Sequence, residues 1–189
     1  RPIEVAWSRA MAGIFVASEV HRQQLRAAGV ECPVHVVGLP LNKAVMMEVL
    51  PAPWPARQPL SVVFTSRLNH EKNPFFMLDV AEQYLQRQGD WRRTWTVTTS
   101  APAFRSEVPG LLAAMDRLRE RSDGRFIMRA GLSKQQYYQT LAASAIQFNC
   151  SLQDYVSWTL LEATSFGCDV CYPNWRSFPE CLSADRLYH

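Results

Sequence analysis

Two carboxylates eight positions apart, Asp154 and Glu162, have the types and spacing that could form a ligand site. Glu162 lies among Leu160, Leu161 and Ala163, an apolar run that favours a helix. A buried carboxylate costs several kcal/mol unless it is paired or hydrogen-bonded. We therefore expect a polar partner close to Glu162.

The predicted helix around Glu162 begins in a way that suits an anion. Ser157 is the predicted N-cap, and the backbone N–H groups of Trp158, Thr159 and Leu160 then lack partners within the helix. Such N–H groups bind anionic ligands readily. Glu162, one turn further on, can accept hydrogen bonds from vicinal hydroxyls such as those of a ribose. The alternative is a capping Asp–Ser pair and a Glu that bonds a backbone group or an arginine.

A second candidate constellation is basic. Arg67 directly follows a predicted strand, and Lys72 precedes a predicted helix with Asn73 as N-cap and Pro74 at its first position. An arginine fork and a lysine point charge suit a diphosphate. The alternative is two solvated surface cations. The sequence contains neither GxGxxG nor GxxxxGK[ST], so these dinucleotide and P-loop motifs do not support the site.

Short apolar runs alternate with longer amphipathic stretches and predict an α/β fold. The predicted strands cover 61–65, 94–98, 125–129, 145–149 and 170–172, and the predicted helices cover 73–87, 109–121, 133–143 and 158–166. The strands are continuously apolar, which is typical of a parallel, Rossmann-like sheet covered by helices on both faces. Ligands of such sheets bind beyond the carboxyl ends of the strands, where both constellations fall.

The chain divides into three parts. Residues 1–50 form a lead-in segment, with a strand at 14–17, a helix at 19–28 and a strand at 34–37. Residues 51–59 hold four prolines and predict a stiff connector without regular structure. Residues 60–189 form the main domain. Abrupt ends lead us to expect a fragment that is truncated at both ends.

Composition restricts the function classes only loosely. Hydrophobic residues make up 48% of the chain, which favours a packed core over disorder, and the net charge of +3 is compatible with phosphate-bearing ligands. The five cysteines lack zinc-ligand partners and are expected to be free thiols in a cytoplasmic protein. No apolar run approaches the ~20 residues of a membrane span. His21 and His70 are expected to be exposed, without an acid–base role.

In this order and on this fold, the two constellations resemble the C-terminal half of GT-B glycosyltransferases of the retaining family GT4. Ser66-Arg67-Leu68 and Glu71-Lys72-Asn73 match that family's first element, and Asp154-x7-Glu162 matches its carboxylate motif. Phe178-Pro179-Glu180 matches its Pro-Glu segment. The resemblance covers essentially the whole chain.

The resemblance implies a role for each matching position. Arg67 and Lys72 would hold the diphosphate of a nucleoside-diphosphate sugar, Glu162 the ribose and Asp154 the donor sugar. The segment Ser157, Trp158 and Thr159 would support sugar and phosphates through its backbone. Gly131 and Leu132 lie where the family holds the nucleobase. No metal or other cofactor is expected, because the cations would neutralise the leaving group.

Two departures affect that assignment. Asp154 is one methylene shorter than the usual Glu, and Tyr155-Val156-Ser157 replaces Gly-Phe-Gly, which crowds the sugar site. The resemblance places the acceptor site and part of the catalytic apparatus in an N-terminal domain of the same protein. The acceptor is unidentified. Aromatic-rich loops of this chain resemble those of enzymes that glycosylate modified nucleosides. The alternative is a non-catalytic nucleotide-sugar binding module.

Overall fold

A small parallel β-α-β unit comes first in the computed structural model, which describes residues 2–87 and 92–189. Its elements are α1 (Pro2–Ser8), β1 (Ile14–Val16), α2 (Glu19–Ala27) and β2 (Val34–Val36). β1 pairs with β2 in parallel. Ser18 caps α2 by accepting a hydrogen bond from the backbone N–H of His21 at 3.2 Å. The strand-helix-strand prediction for this segment is confirmed.

A second, six-stranded sheet forms the centre of the molecule. Its strands are β3 (Gln58–Phe64), β4 (Thr94–Thr98), β5 (Phe126–Arg129), β6 (Ser144–Phe148), β7 (Asp169–Pro173) and β8 (Leu187–Tyr188). The spatial order is β5-β4-β3-β6-β7-β8, and each adjacent pair is parallel. The chain runs outward from β3 to β5, then returns to β6 on the other side of β3. This Rossmann order confirms the predicted parallel sheet.

Helices cover both faces of this sheet, as predicted. They are α3 (Lys43–Val49), α4 (Pro74–Gln86), α5 (Leu111–Arg121), α6 (Lys134–Ala143), α7 (Trp158–Ser165) and α8 (Phe178–Cys181). Successive residues of a strand point to opposite faces. Val62 and Phe64 accordingly join a core with α4 and α5, whereas Val63 joins a second core with α3, α6 and α7.

The proline-rich connector is shorter than predicted. An unpredicted helix precedes it, and the following strand begins earlier than expected. The expectation that 51–59 has no regular structure is wrong at its end, because β3 already begins at Gln58. α3 was not predicted, and its Met46 packs in the second core. Arg57 donates to the carbonyls of Phe166 and Gly167 just after α7. The connector therefore lies against the main domain instead of hanging free.

The cysteines all lie in the described part of the chain, and none forms a disulfide. Burial raises the pKa of the Cys168 thiol to about 12, so that thiol stays protonated at neutral pH. Among residues 2–87 and 92–189, no helix is long and apolar enough to cross a membrane.

Candidate functional site

The two predicted constellations meet where the strand order reverses. β3 and β6 are neighbours, but the chain leaves them in opposite directions along the sheet, which opens a crevice at their carboxyl ends. The loop after β3 contains a 3₁₀ turn, His70–Lys72, and the loop after β6 runs beside it. The backbone N–H of Leu152 donates to the carbonyl of Glu71 at 2.8 Å and ties the two loops together.

Lys72 and Asp154 form the centre of this crevice. The Lys72 ammonium lies 2.7 Å from Asp154 Oδ2 and 3.1 Å from Ser151 Oγ. The Lys72 side chain is only 10% exposed and that of Asp154 is 23% exposed. An ammonium has three N–H donors. These two contacts leave the ammonium with capacity for one further acceptor, such as a phosphate oxygen.

Arg67 lies at the outer side of the same crevice. Its guanidinium is 2.6 Å from Glu71 Oε1, and its side chain is 75% exposed. It borders a cavity of about 410 Å³ that also includes Thr98, Phe104 and Arg105. Arg67 is therefore accessible to an anionic ligand, and it remains close to Lys72, whose ammonium lies 3.8 Å from the same Glu71 oxygen.

The two helix starts at the crevice lack side-chain caps. Ser157 occupies the N-cap position of α7, but its side chain makes no capping bond; its Oγ instead lies 3.4 Å from the Tyr172 hydroxyl. Asn73 occupies the predicted N-cap position of α4, and Pro74 is the first helical residue, but the Asn73 side chain makes no capping bond. Asn73 adopts a left-handed conformation (φ 48°, ψ 52°). Asn is among the few residues that tolerate this conformation. Trp158, the first residue of α7, is half exposed.

Glu162 receives three hydrogen bonds from residues of α6. Its Oε1 accepts from Lys134 Nζ at 2.6 Å and from the Tyr138 hydroxyl at 3.1 Å, and its Oε2 accepts from the Tyr137 hydroxyl at 2.7 Å. The expected polar partner thus exists. These three donors were not predicted from the sequence, although a lysine and two tyrosines near the start of one helix are a visible signal.

A cavity of about 320 Å³ opens directly in front of Glu162. Its walls come from the carboxyl ends of three strands and from α6; the lining residues are Thr65, Thr98, Thr99, Ser100, Leu132, Lys134, Tyr137 and Glu162. The carboxylate therefore faces a space beyond the ends of the strands, although its side chain is only 10% exposed.

The donors around Glu162 keep their protons at neutral pH. Burial, followed by the charge of Glu162, raises the pKa of both Tyr137 and Tyr138. For Lys134, burial alone would lower the pKa, but the hydrogen bond and charge of Glu162 outweigh it and raise the pKa. The three groups are therefore hydrogen-bond donors to the carboxylate under ordinary conditions.

The loop after β5 forms another wall of this cavity. Gly131 has φ +69°, and its backbone N–H donates to the carbonyl of Ala101 at 2.7 Å. The backbone N–H of Leu132 donates to the carbonyl of Thr99 at 3.2 Å, and Leu132 lines the cavity. A side chain at position 131 is disfavoured, because positive φ strains residues other than Gly.

The loop after β6, which carries Asp154 and Tyr155, and helix α8 both contact the small β-α-β unit. Tyr155 stacks on His21, with ring centroids 4.0 Å apart, and its hydroxyl donates to Gln24 Oε1 at 2.5 Å. Glu180 accepts from the backbone N–H groups of Glu19 and Val20 at the start of α2. The prediction that His21 is exposed is wrong, because the tyrosine covers its ring. His70 is exposed, as predicted.

The partly buried ring of His21 gives a pH dependence that can be measured. Burial lowers the pKa of His21 below 6.5. The unfolded chain therefore binds the proton first, so stability is greatest above pH 6.5 and falls as the pH drops through the folded pKa. We expect His21→Phe, which keeps a stacked ring but cannot titrate, to lose less thermal stability than the wild type between pH 7.5 and 5. Parallel melting-temperature curves would contradict this.

Known proteins resemble this chain in part of its sequence and in its fold. No family model matches the chain. The chain is 24% identical over 130 residues to the tRNA-queuosine alpha-mannosyltransferase of Drosophila melanogaster, a match that covers 69% of this chain and 32% of that protein. The match thus spans about a third of the length of that relative.

Two solved structures share the fold over almost the whole chain. TarM superposes with a TM-score of 0.73 at 12% identity and covers 99% of this chain and 35% of its own. The pneumococcal O-GlcNAc transferase GtfA, in complex with UDP and GlcNAc, superposes with a TM-score of 0.68 at 12% identity, over 96% of this chain and 34% of its own. The chain therefore has the Rossmann-like fold of one half of a GT-B glycosyltransferase.

Proposed function

We propose that this chain is the donor-binding portion of a retaining, GT4-type glycosyltransferase that uses a nucleoside-diphosphate sugar. The observation that carries the proposal is the joint geometry at the reversal of strand order. A shielded ammonium at Lys72 and an accessible guanidinium at Arg67 lie at the same sheet edge as Glu162, whose carboxylate faces a cavity of about 320 Å³. A nucleoside diphosphate needs cations for its phosphates and, beside them, a hydrogen-bond acceptor for its ribose hydroxyls.

Each part of the donor has a proposed binding group. Lys72, Arg67 and the uncapped starts of α4 and α7 bind the diphosphate, and they stabilise its negative charge as the sugar departs. Glu162 binds the ribose hydroxyls, and Gly131 with Leu132 borders the nucleobase. This arrangement neutralises the leaving group with side-chain cations, so we propose a reaction that needs no metal ion.

The sugar end of the donor site is the part that differs most from the resemblance. Asp154 is engaged by Lys72 at 2.7 Å, so its first effect is to hold the ammonium in place. Tyr155 is directed to α2 through its contacts with His21 and Gln24. We propose that the sugar meets the backbone at Ser157, Trp158 and Thr159, and that Asp154 contacts it through the carboxylate oxygen that Lys72 does not engage.

The relative from Drosophila favours a nucleic-acid acceptor. We propose a modified nucleobase in RNA as the acceptor, an N-terminal domain of the same protein as the partner that completes the acceptor site, and the cytoplasm as the location. The second candidate function is a non-catalytic nucleotide-sugar binding module. It is favoured by the engagement of Asp154 with Lys72, which leaves this carboxylate partly satisfied without a sugar.

A transfer assay on the full-length protein separates the two candidates. The protein is incubated with UDP-, GDP- and ADP-sugars, with and without total tRNA, and with EDTA in a parallel series. We expect release of nucleoside diphosphate that persists in EDTA, and a product with the anomeric configuration of the donor. Tight donor binding without hydrolysis or transfer under every condition would support the non-catalytic module.

Arg67→Ala gives a narrower test of the diphosphate site. We expect donor affinity to fall at least tenfold, because the exposed guanidinium is available to the phosphates. Thermal stability should hardly change, because an exposed ion pair such as Arg67–Glu71 contributes only about 0–1 kcal/mol. Arg117→Ala, on α5, is the matched control and should bind donor normally. An unchanged affinity in Arg67→Ala would remove Arg67 from the site.

A further inference from the structure

Glu162 has fewer free acceptor positions than a ribose with two hydroxyls needs. A carboxylate offers about four acceptor positions. Three are already used, by Lys134 Nζ, the Tyr137 hydroxyl and the Tyr138 hydroxyl. A ribose that binds through both of its vicinal hydroxyls brings two more donors. One of the three present donors must therefore leave Glu162 when such a ligand binds.

Burial indicates which donor can leave. Tyr138 is 4% exposed and packs in the second core, where its ring lies 4.9 Å from that of Phe166. Tyr137 packs against Tyr138, with ring centroids 5.5 Å apart. Lys134 is the first residue of α6, and its side chain is 54% exposed. Its long flexible stem makes Lys134 the donor that moves at the lowest cost.

The position of Lys134 also explains why it rests on Glu162 in the free protein. Its ammonium lies over the rings of Tyr137 and Tyr138, at 4.8 and 4.6 Å from their centroids. These cation–π contacts act together with the 2.6 Å ion pair. Lys134 lines the cavity in front of Glu162. An ammonium in this place occupies the side of the carboxylate that is open to a ligand.

We infer that Lys134 is an internal competitor for the ribose and thereby sets how strongly the site prefers ribonucleotides. The inference rests on the proposed donor site. A ribonucleoside diphosphate must displace Lys134 to place both hydroxyls on Glu162. A 2′-deoxyribonucleoside diphosphate has one hydroxyl fewer and can use the fourth acceptor position without displacing the lysine. The lysine therefore weakens binding of the ribose form selectively.

The test compares two ligands in two variants of the full-length protein. Affinities of a nucleoside diphosphate and its 2′-deoxy analogue are measured by calorimetry for the wild type and for Lys134→Met. Loss of a cation weakens binding of both diphosphates equally, so the ratio of the two affinities cancels that effect. We expect the ribose-to-deoxyribose preference to rise about two- to fivefold in Lys134→Met, the range that corresponds to an ion pair worth up to about 1 kcal/mol.

Two further variants serve as controls. Lys43→Met removes an exposed lysine on α3 and should leave the preference unchanged. Lys134→Arg, which can pair with Glu162 through two N–H groups, should lower the preference. A preference that stays constant or falls in Lys134→Met would overturn the competitor role, because the lysine would then be neutral or would itself bind the ribose.

The experiment distinguishes a wrong donor site from a wrong role for Lys134. If no nucleoside diphosphate binds the wild type, the proposed function fails and the competitor role fails with it. If Glu162→Gln binds as well as the wild type, the ribose does not bind at Glu162, and the competitor role fails although the rest of the donor site can still stand. If binding depends on Glu162 but the preference does not depend on Lys134, the competitor role alone is wrong. Circular dichroism of each variant checks that the fold is retained.

Discussion

Replacing Glu162 with glutamine is expected to lower affinity for the nucleoside-diphosphate sugar at least tenfold, a loss of about 1.4 kcal/mol. The carboxylate can accept hydrogen bonds from both ribose hydroxyls, whereas an amide has one acceptor oxygen and an NH₂ group. That NH₂ group would also face the Lys134 ammonium or a tyrosine hydroxyl that donates to Glu162. Calorimetric titration with UDP-, GDP- and ADP-sugars measures the effect.

The control for this variant is Glu120→Gln, the same chemical change on the exposed surface of α5. It should bind donor like the wild type. We expect Glu162→Gln to remain folded, because Gln has nearly the same volume. With its carbonyl at the Oε1 position it can still accept from Lys134 and Tyr138, while its NH₂ group donates to the Tyr137 hydroxyl. A folded Glu162→Gln protein with unchanged donor affinity would show that the ribose does not bind at this carboxylate.

Replacing Lys72 with methionine is expected to reduce both donor binding and stability. Donor affinity should fall at least tenfold, because Lys72 is the shielded cation at the centre of the crevice. Stability should fall by about 2 kcal/mol, since Asp154 is left without its partner. This is less than the ~3–5 kcal/mol of a fully buried pair, because the Asp154 side chain remains 23% exposed.

The double variant Lys72→Met/Asp154→Asn separates these two effects. Removing the carboxylate's charge as well should restore most of the stability, as measured by urea unfolding, but should leave donor affinity low. The double variant keeps the net charge of the wild type, and Lys43→Met controls for the charge that Lys72→Met alone removes. Recovery of donor affinity together with stability would mean that Lys72 supports the fold only and does not bind the diphosphate.

The sequence predicted the sheet well because buried parallel strands are continuously apolar. The prediction for β4, residues 94–98, coincides with the strand Thr94–Thr98. The prediction for α6 was also close, because Ser133 and Gln136 form a capping box at its start. α3 was missed because its seven residues lie just before a run of prolines, and its helical signal is short.

The site was predicted in outline, but its internal hydrogen bonds were not. Lys72 and Asp154 are 82 residues apart, and only the strand order brings β3 and β6 together. The same crossing of the sheet brings Lys134 next to Glu162. Periodicity locates each residue on its element, but it does not tell which loops of neighbouring strands touch. The stacking of Tyr155 on His21 connects the loop after β6 with α2 of the small β-α-β unit. Local sequence patterns could not predict this contact either.

The most direct test of the account is donor binding by the full-length protein. Wild type and Lys72→Met/Asp154→Asn, which have the same net charge, are titrated in a calorimeter with UDP-, GDP- and ADP-sugars, with Lys43→Met as a control for the loss of an exposed lysine. The proposed donor site predicts saturable binding of at least one donor by the wild type and by Lys43→Met, and at least tenfold weaker binding by the double variant. Absence of binding to every donor, or equal binding by the double variant, would contradict it.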